Sequence, residues 1–229
     1  KLKKWMKKFL RKDVMYITVV QNDEGIGQEL QLLFRNILTI SSGGYGYAII
    51  PLLLKPLKPL PSPSKRATLL SFTGSLRTHA TRKRCNLALH GLFKNNFKAY
   101  EGNEWLRVVN SSRFVVCPRG FGRSAFKIYE TFDLQRVPIY VYDDIPWIPY
   151  EKDIDWADIS IPIHISKLHR LPQILEKINE TEYNKMINYM REIHADYFTF
   201  SGVLEKIGEF IQQPWSASII CRGLPSTVR

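Results

Sequence analysis

Residues 117–144 read CPRGFGRSAFKIYETFDLQRVPIYVYDD. A glycine-rich basic turn, Arg119 to Arg123, leads into a helix-like segment from Ser124 to about Leu134. That segment is followed by the apolar run VPIYVYD, which ends at Asp143 with Asp144 next to it. Just ahead lies RFVVCP, an uninterrupted apolar stretch of the kind buried on both faces in a parallel sheet. Strand, glycine turn, helix and strand in that order make a βαβ unit.

Outward from this unit the same rhythm continues. ATLLSFTGS predicts a strand running into a turn, with a helix from Arg82 to Phe93. FKAYEG predicts a short strand and Glu104 to Ser111 a helix. SIPIHI predicts the last strand, followed by helices over about 169–180, 181–198 and 202–212. Upstream, VMYITVV predicts a strand, QNDEG a turn, residues 28–38 a helix, and SSGGYGY a loop. The prolines of PLLLKPLKPLPSPSKR cannot sit inside helices or central strands, which makes this stretch a linker. The expected organisation is therefore 1–64 as an N-terminal part plus linker, 65–213 as an α/β domain on a parallel sheet, and 214–229 as an irregular tail.

In such sheets ligands sit beyond the carboxyl ends of the strands. Gly120 and Gly122 allow close backbone approach there, and Ser124 is a suitable N-cap for a helix whose first amides favour a phosphate. Arg119, Arg123 and Lys127 add positive charge, and Glu130 is a carboxylate able to accept hydrogen bonds from ribose hydroxyls. The preceding strand end supplies Gly74 and Ser75, then Arg77 and Arg82, which suit a diphosphate. Read as residues alone, these features fit a nucleotide site and equally a basic surface with a solvated glutamate.

Several spaced elements together resemble exostosin-like glycosyltransferases of family 47. They are TLLSFTG with an arginine at Arg82, SSRFVVCPRG, the helix glutamate, VPIYVYDDIPWIPY, the later DIDW, and upstream VVQNDEGI. The resemblance spans roughly residues 15–200. It implies a GT-B architecture with a sugar nucleotide in the C-terminal Rossmann-like domain and a reduced N-terminal one. It places Arg82 at the diphosphate, Glu130 at the ribose, and Asp143 near the donor sugar or base. It also matches Asp155 and Trp156 to a packing pair. Ala125 and Lys127 stand where many members have serine and arginine. Many retaining GT-B enzymes carry a further glutamate at the position of Gly122, so the glycine agrees with the inversion that the family implies. Inversion needs a general base on the acceptor hydroxyl. Asp23 matches the family's acid in its turn, with Glu24 beside it, although Asp23 before Gly25 also suits a plain turn.

The resemblance thus implies a UDP-sugar donor and a glycan or glycoprotein acceptor, with no further cofactor and no metal. Glucuronate, N-acetylglucosamine, galactose, arabinose and xylose are the family's sugars, with xylose taken as the working choice. Tyr45, Tyr47, Trp147 and Tyr150 are loop aromatics able to stack on a sugar. The five histidines show no metal-ligand spacing.

The 33 lysines and arginines against 21 acids leave a formal charge of +12, which favours anionic partners. Nucleic acid is disfavoured because the cations cluster in the first twelve residues and the phosphate loops, without a stacking platform. In KLKKWMKKFLRK, Leu2, Trp5, Met6, Phe9 and Leu10 share a helical face. Such a helix either packs its stripe on the domain or makes peripheral contact with a membrane. A membrane-associated, catalytically inactive partner subunit is therefore a second reading of the whole chain. Cys85, Cys117 and Cys221 form no metal or disulfide pattern, a mild preference for a reducing compartment. The first residue is not Met, so a leader, anchor or further segment can precede it. The compartment stays open between cytoplasm and, with an anchor, the Golgi lumen.

Overall fold

A computed structural model describes residues 1–58, 61 and 68–213. The expected end of the linker near Lys65 and the tail from Pro214 lie outside the described residues.

The N-terminal part holds α1 (Leu2–Phe9), β1 (Tyr16–Val20), α2 (Gln28–Leu33), β2 (Ile37–Ser41) and β3 (Ala48–Ile49). The three strands are parallel in the order β1-β2-β3. The helix expected over 28–38 stops at Leu33, and the loop expected over 41–47 is preceded by a strand. Ile37, Leu38, Thr39 and Ile40 are mostly β-branched, and such side chains fit a half-buried pleated surface better than a helix. Asn36 secures the changeover, donating from its side chain to the carbonyls of Val14 at 2.6 Å and Arg11 at 2.8 Å. On α1 only Met6 is buried, so the expected packing of its whole apolar stripe does not occur.

The C-terminal part is built on β4 (Thr68–Thr73), β5 (Phe97–Tyr100), β6 (Ser112–Pro118), β7 (Val137–Tyr142) and β8 (Ile161–His164). All pair in parallel, in the order β5-β4-β6-β7-β8. Counted along the chain from β4 this is the doubly wound order 2-1-3-4-5, whose direction reverses between β4 and β6. Helices α3 (Ala80–Phe93), α4 (Trp105–Asn110) and α5 (Phe126–Asp133) provide the crossovers. After β8 come α6 (Leu171–Glu176), α7 (Glu180–Phe198) and α8 (Phe200–Gln212). The helix expected over 169–180 is shorter, because residues 165–170 form a tighter turn of 3-10 type.

The central strands β6 and β7 are buried on both faces, with Val115, Val116, Cys117, Ile139, Tyr140 and Val141 fully covered. Burial of each such aliphatic or aromatic side chain stabilises the fold by roughly 1.5–3 kcal/mol. Phe114 meets Tyr183 of α7 edge-on with centroids 5.4 Å apart. Phe132, Trp156 and Phe198 make a second aromatic group beneath α5. Trp156 also donates to the Pro149 carbonyl, and Asp155 accepts from the Ala157 amide, so the DIDW pair acts in packing. Cys85 and Cys117 are free, buried thiols whose pKa values burial pushes up to about 12, which leaves them unreactive.

Helix α8 returns to the N-terminal part. Its Val203 and Phe210 are buried with Ile40, Ala48 and Ile50 of the smaller sheet. Trp147, from the segment after β7, is buried against Ile49. Thus the two sheets are joined through side chains far apart in sequence.

Candidate functional site

The reversal between β4 and β6 opens a crevice at the carboxyl ends of those strands, as the sheet order requires. A cavity of about 420 Å³ lies there, lined by Asp23, Gly74, Arg82, Gly120, Lys127 and Glu130 among others. Residues from both parts of the chain therefore share one wall.

Arg82 spans the reversal point. Its Nε donates to the Arg119 carbonyl at 3.0 Å and its Nη1 to the Ser75 carbonyl at 3.1 Å. One side chain thus ties the turn after β4 to the turn after β6. Its Nη2 makes no hydrogen bond with the described residues, and it borders Gly120, whose added Cβ would lie 3.7 Å away. Burial draws the Arg82 pKa down from its ordinary value, yet a guanidinium remains charged in proteins. Gly74 beside it has φ +135°, a backbone state that side chains other than hydrogen rarely tolerate.

Across the crevice, α5 begins at Phe126 with Ala125 at the N-cap position and no side-chain cap. Ser124 is therefore not the cap that the sequence suggests. It is buried one residue too early, beside the Tyr129 phenol. The Ile128 amide is satisfied by the Ala125 carbonyl at 3.1 Å. Lys127 and Glu130 form an ion pair at 2.5 Å, and the Lys127 ammonium lies 3.7 Å from the centroid of the Trp105 ring. An aromatic face attracts a cation at that range. The lysine is thereby held over Trp105 and against the carboxylate.

Arg119 and Arg123 lie outside the lining. The Arg119 guanidinium donates to Gly122 and Phe121 carbonyls and to Asp143 Oδ1 at 3.0 Å, bracing its own turn. Arg123 donates to Asp144 Oδ2 at 2.6 Å and to the Gly44 carbonyl at 2.6 Å, and its guanidinium stacks on Tyr45 and Trp147. Asp143 is likewise turned inward to protein partners. It accepts from Thr81 Oγ1 as well as Arg119, with His79 Nδ1 3.7 Å away. Burial opposes ionisation of Asp143, but the bonds from Thr81 and Arg119 hold its pKa below the usual carboxylate value. Ser75 contributes its carbonyl to Arg82 and does not line the cavity.

Asp23 does reach the crevice, although it belongs to the N-terminal part. Its Oδ1 accepts from the Gly122 amide at 3.0 Å, which leaves Oδ2 without a hydrogen bond to the described residues. The glycine loop holding Asp23 is locked to the turn after β6. The Arg123 amide donates to the Gly43 carbonyl at 2.6 Å, and a Cβ on Gly122 would sit 2.3 Å from that carbonyl oxygen.

Sequence reasoning passed over Trp105, Thr78, Phe121 and Phe126, all of which line the cavity. The ring of Phe121 is 69% exposed at the rim. The only signal was position, since each follows a strand end by a few residues. Of the loop aromatics read as sugar platforms, Trp147 is buried, Tyr150 is half-buried against Tyr197 and Phe198, and Tyr45 lies under Arg123. Among the described residues no group of three or more His, Cys, Asp or Glu side chains is placed to hold a metal ion.

No protein-family model matches the chain. A curated Arabidopsis thaliana protein described as "Probable glycosyltransferase At5g03795" is 22% identical over 146 residues, 60% of this chain and 27% of that protein. Among solved structures, that of TarM superposes with a TM-score of 0.50 at 12% identity, covering 83% of this chain and 42% of TarM. A pneumococcal O-GlcNAc transferase, GtfA, solved with UDP and GlcNAc, gives a TM-score of 0.46 at 13% identity over 86% of this chain and 44% of its own. The chain thus spans about a quarter of the curated relative and less than half of these structures. Its α/β fold is of the GT-B glycosyltransferase type, and in sequence and fold it is glycosyltransferase-like.

Proposed function

We propose that the protein is an inverting glycosyltransferase of the exostosin-like kind, which moves a sugar from a UDP-sugar to a hydroxyl of a glycan acceptor. The observation that carries this reading is the meeting of Arg82, Glu130 and Asp23 in one crevice at the reversal of a parallel sheet.

In this reading the diphosphate lies between Gly74 and Gly120, within reach of Arg82 Nη2 and the first amides of α5. A guanidinium already fixed by two carbonyls needs little rearrangement to meet charge that develops on the leaving phosphate. Glu130 accepts from the ribose hydroxyls. Lys127 offsets the charge of Glu130, so that a carboxylate and a diphosphate can occupy the same small site. Trp105 offers a flat wall beside them.

Asp23 enters from the opposite part of the molecule. The acceptor oxygen attacks the anomeric carbon on the face opposite UDP. The new carbon–oxygen bond forms as the bond to the phosphate oxygen breaks, and the acceptor proton passes to Asp23 Oδ2. The electron pair of the broken bond leaves on UDP, next to Arg82. The bond from the Gly122 amide fixes the orientation of the carboxylate, as a general base requires. A carboxylate there also occupies the space next to Gly122, since a Cβ at 122 would lie 2.9 Å from Asp23 Oδ1.

Titration calorimetry with UDP tests the donor site. Arg82→Ala and Glu130→Ala should each weaken binding at least tenfold, because a hydrogen bond to a charged group contributes about 1.5–3 kcal/mol. Unchanged affinity in both variants, with melting temperatures near wild type, overturns the assignment. Transfer assays would begin with UDP-xylose. UDP binding without transfer or hydrolysis for any of the family's sugar nucleotides would favour the inactive-subunit reading.

A further inference from the structure

The outer face of the N-terminal part carries apolar side chains with no cover from the described residues. On α1, Leu2, Trp5 and Phe9 are each more than half exposed. The Trp5 and Phe9 rings lie 5.2 Å apart, and Lys8 Nζ is 5.2 Å from the Phe9 centroid. The apolar surface continues beyond the helix. Ile17 of β1 lines a groove of about 240 Å³ together with Leu2, Trp5 and Met6. Val19 shares the face of Ile17, as alternate strand residues must, and it is exposed, as is Met15 just before the strand.

The charge around this face is predominantly positive. Lys1, Lys4, Lys7, Lys8 and Lys12 form no ion pair with the described residues, whereas Lys3 pairs with Glu29 and Arg11 with Asp13. No acidic residue occurs in the first twelve positions. Protein–protein interfaces are depleted in lysine and enriched in arginine, so a lysine-rich segment beside the patch suits a different partner. An anionic lipid surface matches both the sign of the charge and the apolar stripe.

We propose that α1 and the exposed face of β1 dock on an anionic bilayer. Trp5 and Phe9 enter the boundary between headgroups and acyl chains, and the lysines lie among the lipid phosphates. Among the described residues no helix is long and apolar enough to cross a membrane, so the contact is peripheral. β1 leads from this face toward the turn that bears Asp23.

Flotation of the 229-residue chain with vesicles of phosphatidylcholine alone, or of phosphatidylcholine mixed with phosphatidylserine, tests this. Binding should require phosphatidylserine and fall steeply with salt. Each lysine near the surface strengthens partitioning about fivefold, so Lys4→Gln/Lys7→Gln/Lys8→Gln should weaken it about a hundredfold. Trp5→Ser/Phe9→Ser should weaken it comparably while leaving the charge intact. Brominated acyl chains should quench Trp5 fluorescence, and Trp5→Phe should lose that quenching yet still float. Unchanged flotation of the Trp5/Phe9 variant would reduce the contact to charge alone and overturn the proposal. So would equal binding to neutral vesicles, or no vesicle binding with retention on a protein partner instead.

Discussion

Gly122 is squeezed between two backbone neighbours, with room for hydrogen and nothing larger. A Cβ there would lie 2.3 Å from the Gly43 oxygen and 2.9 Å from Asp23 Oδ1. Gly122→Ala must push the two loops apart, at a cost of about 1–3 kcal/mol as for other overpacked sites. Differential scanning calorimetry should show a lower melting temperature, and a variant as stable as wild type would contradict the interlock. Asp143 gives a prediction with a pH signature. Its folded pKa is lowered, so its contribution is complete above the unfolded value near 4 and is lost as pH falls through the lower folded value. Asp143→Asn should lower the urea midpoint at pH 7 by about 1–3 kcal/mol of stability. Below about pH 4 the difference from wild type should shrink, because the carboxylate of the unfolded chain takes up a proton first and that of the folded protein follows at its lower value. A gap of equal size at pH 7 and pH 3 would rule out ionisation of Asp143 as the source. These two residues also show what is legible from letters alone. Arg82 and Glu130 were singled out through the family resemblance, since their residue types and positions alone fit a solvated surface equally well, and both line the crevice. Arg119, Arg123 and Asp143 have the same chemistry and similar positions, but residue type does not reveal whether a charge meets a ligand or another side chain. Here Arg119 meets Asp143 and Arg123 meets Asp144.

At the level of elements, the larger sheet was legible because its strands are continuous apolar runs separated by amphipathic helices. Of the smaller sheet only β1 was, as VMYITVV, since ILTIS and AI are too short and too close to glycines to stand out from helix or loop. Their strand state is fixed by distant partners, above all α8, whose apolar face meets β2 and β3. A local reading of either segment cannot see that contact. The dependence is testable. Phe210→Ala removes a buried ring from this junction, a change that typically costs about 3–5 kcal/mol in a core. Hydrogen exchange should then speed up across β1, β2 and β3, while β6 and β7 keep their protection. Uniform acceleration across both sheets would mean that the two units unfold together and that α8 is not a separate fastening.

At the scale of the whole molecule, the crevice is assembled from two parts, which meet through α8, through Trp147 and, at the crevice itself, through the loop interlock. Arg82, Lys127 and Glu130 belong to the larger unit. Asp23 follows β1 of the smaller unit and reaches the larger one through the loop interlock of Gly122, Gly43, Gly44 and Arg123. Nucleotide binding and proton removal should therefore be separable by a residue that touches neither. Arg123→Ala removes the guanidinium from the Gly44 carbonyl, Asp144, Tyr45 and Trp147 but leaves the backbone bond from the 123 amide to Gly43. In the proposed mechanism a displacement of the base by about 1 Å can lower the rate about a hundredfold, whereas the diphosphate contacts proposed for Arg82 and Gly120 do not involve the Arg123 side chain. The expected result is UDP affinity within about threefold of wild type together with a transfer rate lowered at least tenfold. Loss of UDP binding in parallel would show that the interlock shapes the donor site as well. An unaltered rate would remove Asp23 from the reaction, because its carboxylate would then have no need of the position that the interlock gives it.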